Sequence, residues 1–115
     1  MVLKLRYKET EFLFTGDIEI EAETIIVQEY GDSIRGDALK IPHHGSKTSS
    51  SEAFLLKVKP KFAVISVGRN SWGHPDPLTL NGLGSCGAKV FRTDLDGAIR
   101  IKTDGSKIEI RKTVN

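Results

Sequence analysis

Apolar and polar positions alternate at both ends of the chain and fall at helical spacings in between. Residues 2 to 7 (Val-Leu-Lys-Leu-Arg-Tyr) and 11 to 15 (Glu-Phe-Leu-Phe-Thr) have the alternation and β-propensity of two strands, with Lys8-Glu9-Thr10 as the polar turn of a hairpin. After Gly16-Asp17, residues Ile18, Ala22, Ile25, Ile26 and Glu29 recur at helical spacing, with acids in the first turn and Gly31 as a stop. A helix over 18 to 30, opened by Asp17, is expected. Ala38 to Ile41 is a short apolar run that ends at Pro42, which disfavours helix before it, so it reads as a buried strand releasing the turn His43-His44-Gly45-Ser46. Ser49-Ser50-Ser51-Glu52 offers an N-cap to a helix through Ala53-Phe54-Leu55-Leu56, and Pro60 ends it.

The run Phe62 to Val67 is nearly all apolar, as a strand covered on both faces would be. A loop rich in Gly, Asn, Ser and Pro follows from Gly68 to Pro77. Residues 77 to 86 predict a weak helix, because Gly82 and Gly84 each cost about 1 kcal/mol relative to Ala in a helix interior. Lys89 to Arg92 predicts a strand. Ala98 to Lys102 and Lys107 to Arg111 alternate around Asp104-Gly105-Ser106, a final hairpin. Strands alternating with helices between two hairpins predict an α/β fold, a mixed β-sheet with helices on one face. No repeat, low-complexity tract or linker divides the chain, so residues 1–115 are expected to form one domain.

Composition narrows the chemistry. At 115 residues, 38% apolar and 28% charged, the chain suits one soluble globular domain. No apolar run reaches membrane-span length, and Met-Val-Leu-Lys-Leu-Arg-Tyr-Lys lacks the apolar stretch of a signal peptide. A net charge of +2 does not by itself indicate a nucleic-acid partner, because phosphate contact needs a clustered basic face. The single Cys86 excludes an internal disulfide and any Cys-x-x-Cys knuckle, so metal ligands would have to be His and carboxylate.

Those residue types concentrate in two turns. His43 and His44 are adjacent at a strand end, with Gly45 permitting close backbone approach and Ser46 adding a hydroxyl. Neighbouring side chains leaving a strand point in different directions, so one imidazole would bind a metal and the other face a substrate. Asp17 reads as an N-cap on its own. A carboxylate there also suits a two-metal site, where it can bridge the ions. His74, in Trp72-Gly73-His74-Pro75-Asp76-Pro77, is either an exposed residue of a rigid turn or a phosphate contact. Asp94 and Asp96 lack the twelve-residue calcium pattern and read as turn formers before the last hairpin.

Together the blocks Phe14-Thr15-Gly16-Asp17, Leu39-Lys40-Ile41-Pro42-His43-His44-Gly45-Ser46-Lys47-Thr48-Ser49, Val64-Ile65-Ser66-Val67-Gly68-Arg69-Asn70, Gly73-His74-Pro75 and Arg92-Thr93-Asp94-Leu95-Asp96-Gly97 resemble the metallo-β-lactamase-like domain of ComEC-type competence proteins. The resemblance runs from near residue 2 to near residue 111. It implies an αββα fold, of which this chain would be the C-terminal half, and two divalent metals, zinc or manganese. It also implies phosphodiester hydrolysis, on DNA during uptake, by a protein held in the bacterial membrane. Carried over by position, Asp17 is the bridging carboxylate, His44 a metal ligand, His43 the residue facing the scissile phosphate, and Ser46 and His74 substrate contacts.

The sequence departs from that pattern where it matters most. The family's His-x-His-x-Asp-His motif is absent, and three His with one bridging Asp cannot complete two metal sites. The chain alone is therefore expected not to hold metals firmly, and to expose an apolar sheet face that the other half of the domain, or a second copy, would cover. Asp76 stands where a second His of a His-Pro-His-Pro loop is expected, and Gly82 and Gly84 replace ordinary helix formers. Two other functions fit the residues: a phosphodiesterase for a small phosphoester, and a non-catalytic interaction module.

Overall fold

A computed structural model describes residues 1–114. The opening hairpin is β1 (Leu3–Tyr7) and β2 (Thr10–Phe14), followed by α1 (Ile20–Tyr30) and a 3-10 turn over Gly31–Ile34. Then come β3 (Ala38–Lys40), the His-His turn, α2 (Glu52–Val58), β4 (Phe62–Ile65), α3 (Pro77–Ser85), β5 (Lys89–Arg92) and a one-turn helix α4 (Thr93–Asp96). The hairpin β6 (Ile99–Thr103) and β7 (Ile108–Lys112) closes the chain. A five-stranded sheet runs β1-β2-β3-β4-β5, with β1 antiparallel and the other strands parallel, so the expected mixed sheet is present.

Register explains which face is the core. Leu13, Leu39, Ala63 and Val90 lie side by side across β2 to β5. With Ile41 and Ile65 they pack against Phe54, Leu55 and Val58 of α2, Leu83 of α3, and Ile26 and Val27 of α1. Leu39, Ile41, Phe54, Ile65 and Leu83 have no exposed surface, and each such side chain contributes roughly 1.5–3 kcal/mol by leaving water. Helices thus cover one face, as alternation in the sequence predicts.

The opposite face carries Leu3, Leu5, Phe12, Phe14, Ala38, Phe62, Val64 and Phe91. The β6–β7 ribbon is fastened at its turn by Glu9 N–H to Gly105 O (2.7 Å) and by the Thr10 and Thr103 hydroxyls (3.1 Å). At its open end Val114 N–H donates to Asp96 O (2.9 Å). Ile99, Ile101, Ile108 and Ile110 are half-buried while Arg100, Lys102, Glu109 and Arg111 are exposed, so one side of the ribbon turns inward. Phe12, Ala38 and Phe91 are buried, whereas Leu3 (56% exposed), Leu5 (53%) and Phe14 (43%) are not. An apolar patch on β1 and the end of β2 therefore remains open to water.

Local chemistry corrects one expectation and explains another. The first helix starts at Ile20, not after Asp17, and Asp17 does not cap it; its N-cap is Glu19, whose side chain makes no capping bond. Gly16 adopts a positive φ, and Asp17 and Ile18 complete a turn through Ile18 N–H to Thr15 O, so the chain leaves β2 before it can coil. The helix expected over 77 to 86 is present as α3, and it forms despite its glycines because the Asp76 carboxylate accepts from Leu78 N–H (2.9 Å) and Pro77 occupies the first turn. Asp94 and Asp96 behave as turn residues. Asp96 accepts from Arg92 N–H, and Asp94 pairs with the Arg92 guanidinium at 2.7 Å, which holds its carboxyl below the usual aspartate range.

Glu23 departs furthest from the helical pattern. It lies on α1 with no exposed surface, and its carboxylate accepts from the backbone N–H groups of Ser50 and Ser51, just where the chain turns into α2. Replacing Glu23 with Ala leaves one buried and one half-buried amide without their acceptor and is expected to destabilise the fold by about 3 kcal/mol in urea unfolding, against less than about 0.5 for exposed Glu21→Ala.

Candidate metal centre

Strands β2, β3, β4 and β5 are parallel, so their C-terminal ends share one edge of the sheet, where open α/β sheets place ligands. Along that edge β2 releases Gly16-Asp17, β3 releases His43-His44, β4 releases Ser66 and the loop to His74, and β5 releases Asp94. The two turns singled out in the sequence are joined directly, by His43 N–H donating to Gly16 O at 3.0 Å. Thr15, fully buried, reinforces the join by donating its hydroxyl to Lys40 O at 2.6 Å.

The His-His turn has an unusual backbone. His43 (φ 51°, ψ 42°) and His44 (φ 55°, ψ 25°) are both left-handed, a region few non-glycine residues occupy and one that costs of order 1–3 kcal/mol per residue. Gly45 follows at φ 84°. Its α-carbon lies against the neighbouring loop so closely that an added Cβ would meet Pro75 Cβ at 2.6 Å. Asp76 N–H donates to Gly45 O (2.9 Å), and Thr79 of α3 donates to Ser46 O (3.1 Å). The turn is thereby clamped between α3 and β2.

This clamping separates the two imidazoles. The His44 Nδ1 and the Ser66 carbonyl lie 2.7 Å apart, so in the neutral ring Nδ1 carries the hydrogen and Nε2 keeps its lone pair. His44 is exposed, with that nitrogen available to a ligand. His43 is half-buried, its ring centroid 6.5 Å from His44 and 5.8 Å from His74 in an edge contact. Its Nδ1 is enclosed without a hydrogen-bond partner among the described residues, and the Glu19 carboxylate stands 3.7 Å away.

Asp17 is exposed at the same edge. The nearby Lys40 is half-buried and donates to Ile41 O (3.0 Å). Burial pushes its ammonium below the usual lysine range, and the Asp17 charge acts in the opposite direction. Ser46 is only 5% exposed, and its hydroxyl is shared with the Thr48 hydroxyl (2.8 Å) and Thr48 N–H (3.2 Å). It shapes the loop from within. His74 faces a cleft of about 210 Å³ lined also by His44, Arg69, Asn70 and Trp72.

Among the described residues, no group of three or more His, Cys, Asp or Glu side chains converges closely enough to hold a metal ion. The donors at this edge, His and Asp, are of the kind that zinc or manganese takes. The cation Lys40 and the His74–Trp72 cleft were not legible beforehand. Lys40 shows in the sequence only as a charge inside a short apolar strand, and the cleft depends on how the 68–74 loop folds back.

The family profile described as Metallo-beta-lactamase superfamily matches residues 1–69, a stretch that includes both turns. The chain belongs to that superfamily. It is 39% identical over 100 residues to a protein named Competence protein ComA of Neisseria gonorrhoeae, covering 86% of this chain and 14% of that protein. It is 36% identical over 103 residues to ComE operon protein 3 of Bacillus subtilis (89% of this chain, 13% of the relative). Recombination protein 2 of Haemophilus influenzae is 37% identical over 101 residues (87% and 12%). The resemblance to ComEC-type competence proteins therefore holds over most of the chain, which spans only about an eighth of the length of these relatives. No helix among the described residues is long and apolar enough to cross a membrane.

The close approach at Gly45 yields a direct test of the clamp. Gly45→Ala combines a positive φ with a steric clash against Pro75 and is expected to cost about 3 kcal/mol in urea unfolding, whereas Gly84→Ala, with open space around it, is expected to be neutral or stabilising.

Proposed function

We propose that this chain is the C-terminal half of a metal-dependent phosphodiesterase domain that acts on DNA during uptake, in a longer protein held in the bacterial membrane. The observation that carries the proposal is the His44–Ser66 contact. A ligating histidine characteristically gives its second nitrogen to a backbone carbonyl, which fixes the tautomer and aims the ring, and His44 does so at the sheet edge that also carries Asp17. Asp17 and His44 are two ligands of the centre, and the remaining donors come from the half of the domain that carries the His-x-His-x-Asp-His motif.

The shortage of donors and the open apolar patch on β1 and β2 have one common remedy. A single partner, the other half of the domain, covers Leu3, Leu5 and Phe14 and brings the missing ligands. A second copy of this chain would cover the patch but would not bring the His-x-His-x-Asp-His motif, so we assign the face to the other half and not to a homodimer.

Within the reaction, this chain's own residues have separate tasks. His43 faces the scissile phosphate, where its ring orients a phosphate oxygen or donates a proton to it, and the Glu19 carboxylate stands 3.7 Å from its Nδ1. Ser46 acts through the loop it shapes, and His74 flanks the phosphate on the cleft side. A polymer is favoured over a small phosphoester by the names of the relatives and by charge. The ribbon's outer side carries Arg100, Lys102, Lys107 and Arg111 against Glu109, with Arg100 directly opposite Arg111, an arrangement that gains from a polyanion.

The test is to join or mix the chain with the other half of a relative's domain, supply zinc or manganese, and follow hydrolysis of bis-nitrophenyl phosphate. The chain alone should bind neither ion stoichiometrically and should be inert, while the two-part protein should turn over. Asp17→Asn or His44→Ala should lower metal affinity by about 10–100-fold, and His43→Gln should lower turnover by about 100-fold or more with metal retained. Stoichiometric zinc and turnover by the chain alone would refute the half-domain, and a correctly folded but inert mixture would favour a non-catalytic module.

A further inference from the structure

The chain's single tryptophan is the most conspicuous side chain that the proposed chemistry leaves unused. Trp72 is 78% exposed, the largest aromatic surface in the chain to be left in water, and it stands at the edge of the cleft lined by His44, Arg69, Asn70 and His74. Its ring centroid lies 6.3 Å from that of His74, which in turn lies 5.8 Å from His43, so three rings step outward from the His-His turn.

This exposure is built, because one side chain holds the whole loop. The Asn70 carboxamide oxygen accepts from the N–H groups of both Trp72 and His74 (3.0 Å each). Its amide nitrogen donates to Gly68 O (3.0 Å) and His74 O (2.9 Å). Asn70 thus uses its donor and acceptor capacity to keep the backbone of Trp72 in place, and a large apolar ring is presented to solvent beside the His74 ring. Arg69, exposed and without an ion pair among the described residues, lines the same cleft.

We propose that Trp72 and this cleft form a nucleobase subsite, in which a base next to the scissile phosphate stacks on the indole while Arg69 meets the adjoining phosphate. The inference rests on the phosphodiesterase reading for its choice of ligand and narrows it to single-stranded DNA with at least one accessible base. Stacking of this kind tolerates any sequence, because every base has a π-face. It also requires an unpaired base, since a duplex keeps its faces covered.

A lone tryptophan makes the test direct. The full chain, without metal, is titrated with a single-stranded oligodeoxythymidylate and with an abasic sugar-phosphate chain of equal length, while tryptophan emission is followed. The subsite predicts saturable quenching by the oligonucleotide and none by the abasic chain. Read by a labelled oligonucleotide, Trp72→Ala should weaken binding about tenfold and Trp72→Phe should stay within about threefold of the parent. Emission that does not respond to the oligonucleotide, or responds equally to the abasic chain, overturns the subsite. So does a response confined to phosphatidylglycerol vesicles, which would make Trp72 a membrane anchor. Binding is read without hydrolysis, so an inert two-part enzyme defeats the preceding proposal alone, and a silent tryptophan defeats the subsite whatever the enzyme does.

Discussion

The left-handed turn at His43 and His44 is the constraint from which the rest of the site follows. Two consecutive non-glycine residues at positive φ are unfavourable alone, and they persist because their surroundings hold them from three sides. His43 N–H reaches back to Gly16, Asp76 N–H closes on Gly45, and the His44 ring is drawn to the Ser66 carbonyl. Each bond ties the turn to the end of a different element: β2, the start of α3, and β4. The geometry at the edge is therefore set by the parallel sheet itself, and the turn can be no better ordered than the packing of β2, β3 and β4.

Glu23 extends that dependence into the helical layer. By accepting from Ser50 and Ser51 it fixes the segment that leaves Ser46, so a carboxylate wholly removed from water governs where the His-His loop ends and α2 begins. Burying a charge is unfavourable unless its hydrogen bonds are met, and here two backbone amides supply them. The helix, the loop and the edge of the sheet are in this way a single mechanical unit, which explains how a 115-residue chain keeps a strained turn while one apolar patch of its sheet lies open.

Where alternation or a turn residue is itself the cause of the structure, the sequence was readable. The opening and closing hairpins, the strand Lys89–Arg92, the Ser-rich start of α2 and its end at Pro60 all follow from local chemistry. It was misread where a neighbouring turn or a tertiary contact decides. Asp17 looked like an N-cap because an acid preceded a helical pattern, yet the turn at Gly16 carries the chain past it. Asp76 looked like a lost histidine, and its carboxylate instead caps α3. Glu23 lies outside the helical spacing of residues 18, 22, 25, 26 and 29, and only the course of residues 50 and 51 makes it internal. The two turns were singled out from residue types, but the bond that joins them through Gly16 and the one that ties His44 to Ser66 were not legible, because both acceptors are backbone carbonyls that any residue could supply.

The central claim is that the fold aims His44 as a metal ligand before any metal arrives. The most direct measurement is the nitrogen-15 spectrum of the histidine ring nitrogens in the metal-free chain, recorded well above the ordinary histidine pKa of about 6.5, with assignments from His43→Gln and His44→Gln variants. The account predicts that His44 is held as the tautomer with hydrogen on Nδ1, leaving Nε2 unprotonated. A His44 ring with hydrogen on Nε2, or one averaging freely between the two forms, would contradict it.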